Sequence, residues 1–290
     1  QHHHAHIASV LAENGWALDG GAVLGLALDG SGYGEDGSIW GGEFLLADYR
    51  EFRRLGALRP VPLPGGTQAI LQPWRNSFSQ LETGLGWRQV ESEWGQLEAV
   101  SWLKTQPLEI LGRMMQSGMN SPISSSCGRL FDAVAGLLDI CRERISYEGQ
   151  AAIELEALAL SARDRDHPGY SFGNRLHEGL SLLDPAQIWP ALLNDLASGV
   201  ERQEIAWRFH RGLIHSLSDM AVRLARQGGV ETLALSGGVF QNRTLFEGLA
   251  ENLRQAGLEV LAHRSVPAND GGLSLGQAAI GAARLLAGEN

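Results

Sequence analysis

The chain has 290 residues, of which 44% are hydrophobic and 19% charged, and its formal net charge is −10. This acidic balance argues against a protein that grips a nucleic-acid backbone by itself. No apolar stretch reaches the roughly 18 residues of a membrane span, and no secretory signal is recognisable, so we expect a globular cytoplasmic protein that does not bind membranes.

Two features of the covalent chain add to this expectation. Cys127 and Cys141 are too few for a disulfide framework and match no zinc motif, so they indicate a reducing compartment and buried small side chains. The sequence begins at Gln1 rather than at Met, directly on a dense motif, and we expect it to be N-terminally incomplete.

The first element is a predicted helix that starts in a histidine-rich run. His2 and His6 are four residues apart, so they share one helix face and would grip a metal ion if a third ligand came from elsewhere. His3 and His4 point away from that face and would meet solvent or substrate. The alternative is a solvated histidine-rich end, whereas a purification-tag remnant is disfavoured because Ala5 interrupts the run.

A predicted hairpin follows, with apolar strands over Val23–Leu28 and Gly42–Ala47. Its turn would be the stretch from Asp29 to Gly34, where glycines leave backbone N–H groups free to close on an anion and Ser31 adds a hydroxyl. Asp29, at the strand end, would contact a metal ion or a polar group of a ligand. An ordinary glycine-rich hairpin turn is the alternative.

The middle of the chain is predicted to be largely helical. Residues 97–115 have helical spacing, with Pro107 dividing them into two pieces. Another helix is predicted over Leu130–Ile140, with Asp132 in its first turn, where a carboxylate usually only compensates the helix dipole. Gly149 precedes a further helix, and a ligand could approach the backbone N–H groups there.

The next segment, residues 161–185, is polar and rich in Pro and Gly, and we interpret it as a loop. A long helical tract is predicted after it, over residues 188–196 and then 205–224. His210 and His215 lie on this tract five residues apart, which does not place them on one face, so we interpret them as core or surface histidines.

The last section alternates as α/β units do, with strands over Thr232–Leu235 and Leu258–Ala262 and helices over Arg243–Leu253 and Leu275–Leu286. The first strand leads into a second ligand-facing turn, and the second leads to another glycine pair at a helix start. The polar candidates at these turns are Gly237, Gly238, Asn242 and Asp270. Asn242 is suited to hydrogen-bonding a base or ribose, and Asp270 to supplying an oxygen ligand.

Two glycine turns from distant parts of the chain indicate a cleft between two lobes. Two imidazoles and one carboxylate form a facial ligand set that suits iron or zinc and leaves positions open for a substrate. Walker and kinase patterns are absent from the sequence, and no Ser-His-Asp order is evident.

Several ordered motifs closely resemble the C-terminal domain of the HypF carbamoyltransferases of [NiFe]-hydrogenase maturation, a domain related to the tRNA threonylcarbamoyl transferases. The segments that carry the resemblance are 1–9, 27–34, 39–47, 127–134, 146–152, 235–242 and 269–276. The resemblance implies an α/β protein with the two-lobed fold of actin and the sugar kinases. It further implies transfer of a carbamoyl group from carbamoyladenylate to the C-terminal cysteine thiol of the partner HypE, where dehydration later gives the cyanide ligand.

The resemblance also assigns site residues. One mononuclear iron or zinc site would use His2, His6 and Asp270, with Mg²⁺ as a further possible ion. The predicted catalytic residues are Asp29, His3 and His4. The predicted nucleotide contacts are Asp29, Gly30, Ser31, Gly32, Asp132, Gly149, Gly237, Gly238 and Asn242.

The sequence departs from full-length HypF, because it contains no Cys-x-x-Cys zinc segments, no acylphosphatase-like domain and no YrdC-like domain that makes carbamoyladenylate from carbamoyl phosphate and ATP. We therefore expect residues 1–290 to be the transfer domain only, with an incomplete N-terminal lobe and without the full reaction. Within it, residues to about 125 would hold the rest of the first lobe and an insertion, and 126–290 a helical segment and the second lobe.

Three alternatives remain. One is carbamoylation of a small-molecule hydroxyl, which would use the same motifs. Another is a non-catalytic scaffold of the actin-like class that binds adenine nucleotide without a metal. A tRNA threonylcarbamoyl transferase is disfavoured by the acidic balance and by the histidine motif at residues 1–6, where that family has a different pattern.

Overall fold

A computed structural model describes residues 1–163 and 167–288, so part of the loop predicted over 161–185 lies outside the described residues. The helices in the described ranges are α1 His2–Glu13, α2 Thr67–Leu71, α3 Pro73–Gly84, α4 Trp87–Trp94, α5 Glu98–Lys104, α6 Leu108–Ser117, α7 Cys127–Leu137, α8 Gln150–Leu160, α9 Ile188–Ala197, α10 Arg202–Gly228, α11 Arg243–Gln255 and α12 Leu273–Ala287. Short 3₁₀ turns span Pro185–Gln187, Gly238–Gln241 and Asp270–Gly272. None of the described helices is both long and apolar enough to cross a bilayer.

The strands form one mixed sheet. They are β1 Val23–Tyr33, β2 Ile39–Ala47, β3 Phe52–Leu58, β4 Val61–Pro62, β5 Ile123–Ser124, β6 Gly173–His177, β7 Leu180–Asp184, β8 Thr232–Ser236 and β9 Glu259–Ala262. The main order is β6-β7-β3-β2-β1-β8-β9, and the short β4 and β5 pair beside β2. β1 pairs antiparallel with β2 but parallel with β8, which in turn pairs parallel with β9. The protein is therefore of the mixed α/β class.

The two faces of β1 belong to two separate hydrophobic cores. Leu24, Leu26 and Leu28 pack into the larger core, which includes side chains of α3, α7, α9, α10 and α11. Val23 and Ala27 face the smaller core, which α1 and α12 cover. This alternation is the period of two that a strand imposes, and burial on both faces explains the unbroken apolar run before Asp29.

The sheet crosses the boundary predicted near residue 125. β1 belongs to the segment before that boundary and β8 to the segment after it, yet Leu26 is in register with Leu235. The sheet is therefore continuous across the predicted boundary, and the assignment of lobes stays a prediction.

Two predictions about local structure are wrong. The stretch from Asp29 to Gly32 is not the hairpin turn: β1 continues to Tyr33, with a register shift between Leu28 and Gly32, and pairing resumes at Gly32 with Trp40. Glycines tolerate the irregular backbone of such a bulge, so the strand bends without ending. The loop predicted over 161–185 contains the β6–β7 hairpin, because β7 gains a parallel partner in β3 that local sequence does not reveal.

Other predicted elements are confirmed. Pro107 separates α5 from α6, and α8 begins directly after Gly149. The alternation β8, α11, β9, α12 follows the predicted order with bounds shifted by a few residues.

Candidate functional site

Asp29 lies where β1 passes the end of β8, and the surrounding backbone holds its carboxylate. Its Oδ1 accepts hydrogen bonds from the N–H groups of Gly30, at 2.9 Å, and Gly238, at 3.1 Å. The Ser126 hydroxyl, at the N-cap of α7, lies 2.7 Å from the carbonyl oxygen of Gly30 and 3.0 Å from that of Asp29. These contacts fix the bulged segment of β1 against the start of α7.

Four side chains converge beside this bulge, and we call them the His/Asp cluster: His2, His6, Asp29 and Asp270. One ligand atom from each lies within 4.8 Å of the others. The His2 Nε2 atom is 3.0 Å from Asp29 Oδ2, and His6 Nε2 is 3.4 Å from Asp270 Oδ1 and 3.5 Å from Asp29 Oδ2. The structure therefore brings the three predicted metal ligands together and adds Asp29 to them.

The His/Asp cluster fits a divalent transition metal. His6 Nε2 is buried without a hydrogen-bond partner, since its distances to the two carboxylates are too long for good bonds. An unpartnered buried nitrogen that faces two carboxylate oxygens is an arrangement that a cation between them would stabilise. Two imidazole nitrogens and two carboxylate oxygens are ligands that iron and zinc both accept.

Asp29 and His2 shift each other's pKa in the direction that favours their charged forms. Burial would raise the pKa of Asp29, but the hydrogen bond from His2 and the neighbouring His6 hold it well below its usual range. The same hydrogen bond raises the pKa of His2 against the effect of burial. His2 is the first residue of α1, and the N-cap Gln1 begins this helix by accepting a hydrogen bond from the His4 N–H.

His3 and His4 do not meet solvent, so that part of their predicted role is wrong. Both are buried because they pack against the sheet, His3 on Trp40 of β2 and His4 on Phe52 of β3. His3 contacts the rings of His2 and Trp40, and burial lowers its pKa to about 3. His4 Nε2 lies 2.7 Å from the Asp48 carbonyl oxygen, which assigns it as the donor. Neither lines the cleft, and their catalytic assignment stays a prediction.

A cleft of about 400 Å³ opens beside the His/Asp cluster. Most predicted nucleotide contacts line it, namely Asp29, Gly30, Ser31, Asp132, Gly149, Gly238 and Asn242, as does Asp270. Gly32 and Gly237 do not. A Cβ atom on Gly32 would lie 2.5 Å from the His2 and His3 rings. A Cβ atom on Gly237, which has a φ of +109°, would clash with the Leu28 carbonyl oxygen.

An ion pair forms one wall of the cleft. Arg129 Nη1 lies 2.9 Å from Asp132 Oδ2, and both side chains are buried. Burial raises the pKa of Asp132 to about 6 even though Arg129 opposes the shift. Asp132 is in the second turn of α7, not in the first, because the helix already begins at Cys127. Sequence reasoning missed Arg129; its spacing of three residues from Asp132 on one helix was the available signal.

The protein itself holds the side chain of Asn242, which was predicted to bind a base or ribose. Its Oδ1 caps α11 by accepting the Leu245 N–H at 2.8 Å, and its Nδ2 lies 3.0 Å from Nε2 of the buried His210. His210 Nδ1 in turn lies 2.8 Å from the Ala206 carbonyl oxygen, which assigns Nε2 as the acceptor. Asn242 therefore has one remaining N–H for a ligand.

Sequence reasoning also missed two acidic residues of the cleft, Glu148 and Glu156. Glu156 accepts a hydrogen bond from the Thr244 N–H at 2.7 Å and so joins α8 to the start of α11 across the cleft. No motif in the sequence signals this contact, because the two residues are 88 positions apart.

Comparison with known proteins gives consistent matches. A model of the family described as "Carbamoyltransferase, Kae1-like Domain, second subdomain" matches residues 25–277. The carbamoyltransferase HypF of Rhodobacter capsulatus is 40% identical over 287 residues, which cover 98% of this chain and 36% of that relative. A HypF homolog of Cupriavidus necator is 37% identical over 284 residues, which cover 97% of this chain and 70% of that relative. The chain thus spans about a third of the length of relatives such as the Rhodobacter protein.

Solved structures agree with these matches. The crystal structure of full-length HypF in the phosphate- and nucleotide-bound form has a TM-score of 0.87 and 36% sequence identity. The match covers 99% of this chain and 42% of the chain in that crystal structure. The crystal structure of HypF from T. kodakarensis has a TM-score of 0.84 and 32% sequence identity. The match covers 100% of this chain and 37% of the T. kodakarensis chain. The mixed α/β fold is therefore shared over almost the whole chain.

Proposed function

Because this chain belongs to the family of HypF carbamoyltransferases, we propose that it forms the site that transfers a carbamoyl group from carbamoyladenylate to the C-terminal cysteine thiol of HypE. That group would become the cyanide ligand of a [NiFe]-hydrogenase. The observation that carries this proposal is the His/Asp cluster at one end of a cleft lined by the predicted nucleotide contacts.

In the proposed reaction the thiolate sulfur of the acceptor attacks the carbamoyl carbon. A C–S bond forms, the bond from that carbon to the phosphate oxygen breaks, and AMP leaves with the electron pair. The acceptor thiol loses its proton to solvent before attack. The products are a thiocarbamate and AMP.

The residues of the chain would bind and orient these groups. A metal ion held by His2, His6, Asp29 and Asp270 would supply Lewis acidity to the carbamoyl carbonyl when bound. The N–H groups of Gly30 and Gly238 already hold Asp29 in position, and Ser31 is available for the phosphate.

The nucleoside would lie further along the cleft. Asp132 would accept from the ribose, and the free N–H of Asn242 would contact the ribose or base. Gly149 begins α8 with its backbone exposed to the cleft. Of the three predicted catalytic residues, Asp29 faces this cleft. His3 and His4 would act indirectly, by packing of their rings against His2, Trp40 and Phe52.

The wider assignments are part of the same proposal. The cleft of residues 1–290 would take ready-made carbamoyladenylate, and making that adenylate from carbamoyl phosphate and ATP is not part of the role proposed for these residues. It would contribute to a two-lobed fold of the actin type. Its cytoplasmic location and a role for Mg²⁺ stay predictions.

The test is transfer from supplied carbamoyladenylate to a peptide with the C-terminal sequence of HypE. We expect Asp270→Ala to lower kcat/KM by about 10²–10³-fold, the loss seen when a group that stabilises developing charge is removed. Asp219→Ala, at an exposed aspartate of α10, is the matched control. A protein that binds the adenylate but transfers nothing to the thiol would contradict the proposal and favour a hydroxyl acceptor or a scaffold.

A further inference from the structure

Behind the His/Asp cluster lies a chain of four hydrogen-bonding side chains, which we call the relay: His6, Ser236, His263 and Glu13. The Ser236 hydroxyl at the end of β8 lies 3.3 Å from His6 Nδ1 and 2.9 Å from His263 Nε2. His263 Nδ1 lies 2.8 Å from Glu13 Oε2. Ser236 is fully buried, and the side chains of His263 and Glu13 are 6% and 11% exposed.

The donors and acceptors of the relay can be assigned from its outer end. Glu13 Oε1 accepts the N–H groups of Arg264, Ser265 and Val266. Burial opposes ionisation of Glu13, but these bonds and His263 lower its pKa to about 2. An ionised carboxylate only accepts hydrogen bonds, so Nδ1 of His263 must carry the hydrogen.

The remaining assignments follow in order. Burial lowers the pKa of His263, so the ring is neutral and its Nε2 is an acceptor. Nε2, at 2.9 Å, therefore takes the single hydrogen of the Ser236 hydroxyl in preference to the Ala268 carbonyl oxygen, which is 3.4 Å away. Since that hydrogen is used, Ser236 Oγ can only accept from His6, whose Nδ1 must be the N–H. In this tautomer His6 Nε2 carries a bare lone pair towards Asp29 and Asp270, where the structure leaves it without a hydrogen-bond partner.

We propose that Glu13, His263 and Ser236 are positioning residues that fix His6 in the Nδ1–H tautomer, so that its Nε2 is ready to bind a metal ion. The inference deepens the proposed function, because it concerns the metal site of that proposal. Glu13, His263 and Ser236 act through His6 and touch neither substrate nor metal. Outer partners of this kind orient ligating histidines, and their loss typically weakens metal affinity by about 10–100-fold.

The sharpest variant is Glu13→Gln, which keeps the size of the side chain. The amide oxygen would take the three backbone N–H groups, and the amide NH₂ would then face His263 Nδ1 as a donor. His263 would carry its hydrogen on Nε2 and donate to Ser236, whose hydroxyl would donate to His6 Nδ1. The direction of the whole relay reverses, and the hydrogen of His6 moves to Nε2, the atom that binds metal.

The first measurement is the histidine-ring ¹⁵N spectrum of the full chain without metal at pH 8, with His6→Ala used to assign the His6 signals. We expect the Nδ1–H tautomer in the wild type and the Nε2–H tautomer in Glu13→Gln. Ser236→Ala removes the hydroxyl that accepts from His6 Nδ1, and we expect it to change His6 to the Nε2–H tautomer as well. Ser9→Ala is the matched control. Like Ser236→Ala it deletes a fully buried hydroxyl, but Ser9 lies on α1 and its hydroxyl has no hydrogen-bond partner among the described residues.

The second measurement is the affinity for Zn²⁺ alone, by calorimetry. We expect Glu13→Gln and Ser236→Ala to weaken binding by about 10–100-fold and Ser9→Ala to leave it unchanged. A wild type that binds no Zn²⁺ would contradict the metal site of the proposed function, while the ring spectra would still decide the tautomer. The relay is overturned if His6 shows the same tautomer in the wild type, Glu13→Gln and Ser236→Ala.

Discussion

Two buried carboxylates line the same cleft, yet the pKa of Asp29 is lowered and that of Asp132 is raised. Both are desolvated, and their partners decide the difference. Asp29 receives two backbone N–H groups and an imidazole, whereas Asp132 has, among the residues that the structure describes, one ion-pair contact, to Arg129. Hydrogen bonds to the charged form favour ionisation, and burial with few of them disfavours it. The cleft therefore has an anionic carboxylate, Asp29, at the His/Asp cluster and a protonatable carboxyl, Asp132, along its wall.

The raised pKa of Asp132 predicts a pH dependence of stability. Between about pH 4 and pH 6 the folded carboxyl keeps a proton that the unfolded chain has lost, so the free energy of unfolding falls as pH rises through this window. A shift from 3.8 to about 6 corresponds to about 3 kcal/mol. The difference between wild type and Asp132→Asn, from urea unfolding at several pH values, should fall by about that amount and stay constant above pH 7.

Subtracting the Asp132→Asn profile removes the other titrating groups, and the charge left on Arg129 adds only a constant, because its guanidinium does not titrate. A difference that does not change from pH 4 to pH 7 would show that Asp132 is ionised throughout. A difference that rises would show that Arg129 outweighs burial.

At the scale of elements, the site depends on how closely α1 and α12 approach each other. A Cβ atom on Gly276 would lie 1.8 Å from the Ala5 carbonyl oxygen, so the two helices meet there with no room for a side chain. α1 carries His2 and His6, and the turn before α12 carries Asp270. The distance between the two helices therefore sets the distance between the histidines of α1 and Asp270 in the His/Asp cluster.

We predict that Gly276→Ala forces the helices apart, lowers the free energy of unfolding by about 1–3 kcal/mol and weakens Zn²⁺ binding. Gly281→Ala is the matched control on the same helix, since its Cβ would meet nothing within 4 Å. That variant should be more stable by about 0.5–1 kcal/mol, because alanine replaces glycine within a helix. Thermal unfolding and Zn²⁺ calorimetry measure both effects. Equal behaviour of the two variants would contradict the close approach.

The sequence predicted elements best where local signals sufficed. Pro107 marked the break between α5 and α6, and the spacing of His2 and His6 placed both on one helix face. It failed where a distant partner decides the structure, as for β7, which pairs with β3, and for His263, which bonds Glu13 from 250 positions away. It also failed at Asp29, where glycines permitted a bulge as readily as a turn.

At the scale of the whole molecule, the His/Asp cluster joins parts of the chain that are far apart in sequence. Its four residues come from α1, from the middle of the sheet and from the turn before α12. An ion that binds only when these three parts of the chain are in place would stabilise the folded state as a unit, by about 2.7 kcal/mol when the ion concentration is 100 times Kd.

Zn²⁺ should therefore raise the Tm of the wild type, and a chelator should reverse the increase. His2→Ala should abolish the effect, whereas His215→Ala, at an exposed histidine of α10, should retain it. Differential scanning fluorimetry at several Zn²⁺ concentrations gives the measurement. An unchanged Tm shift in His2→Ala would mean that the ion binds elsewhere.

The order of the cluster residues along the chain also bears on protein synthesis. His2, His6 and Asp29 leave the ribosome before Asp270 and before α12, the helix that packs on α1. The long-range pairing of β1 with β8 is likewise postponed, and such non-local contacts form slowly. A nascent chain therefore cannot assemble the complete His/Asp cluster until Asp270 and α12 have been made, and loading of the proposed metal ion would come after that point.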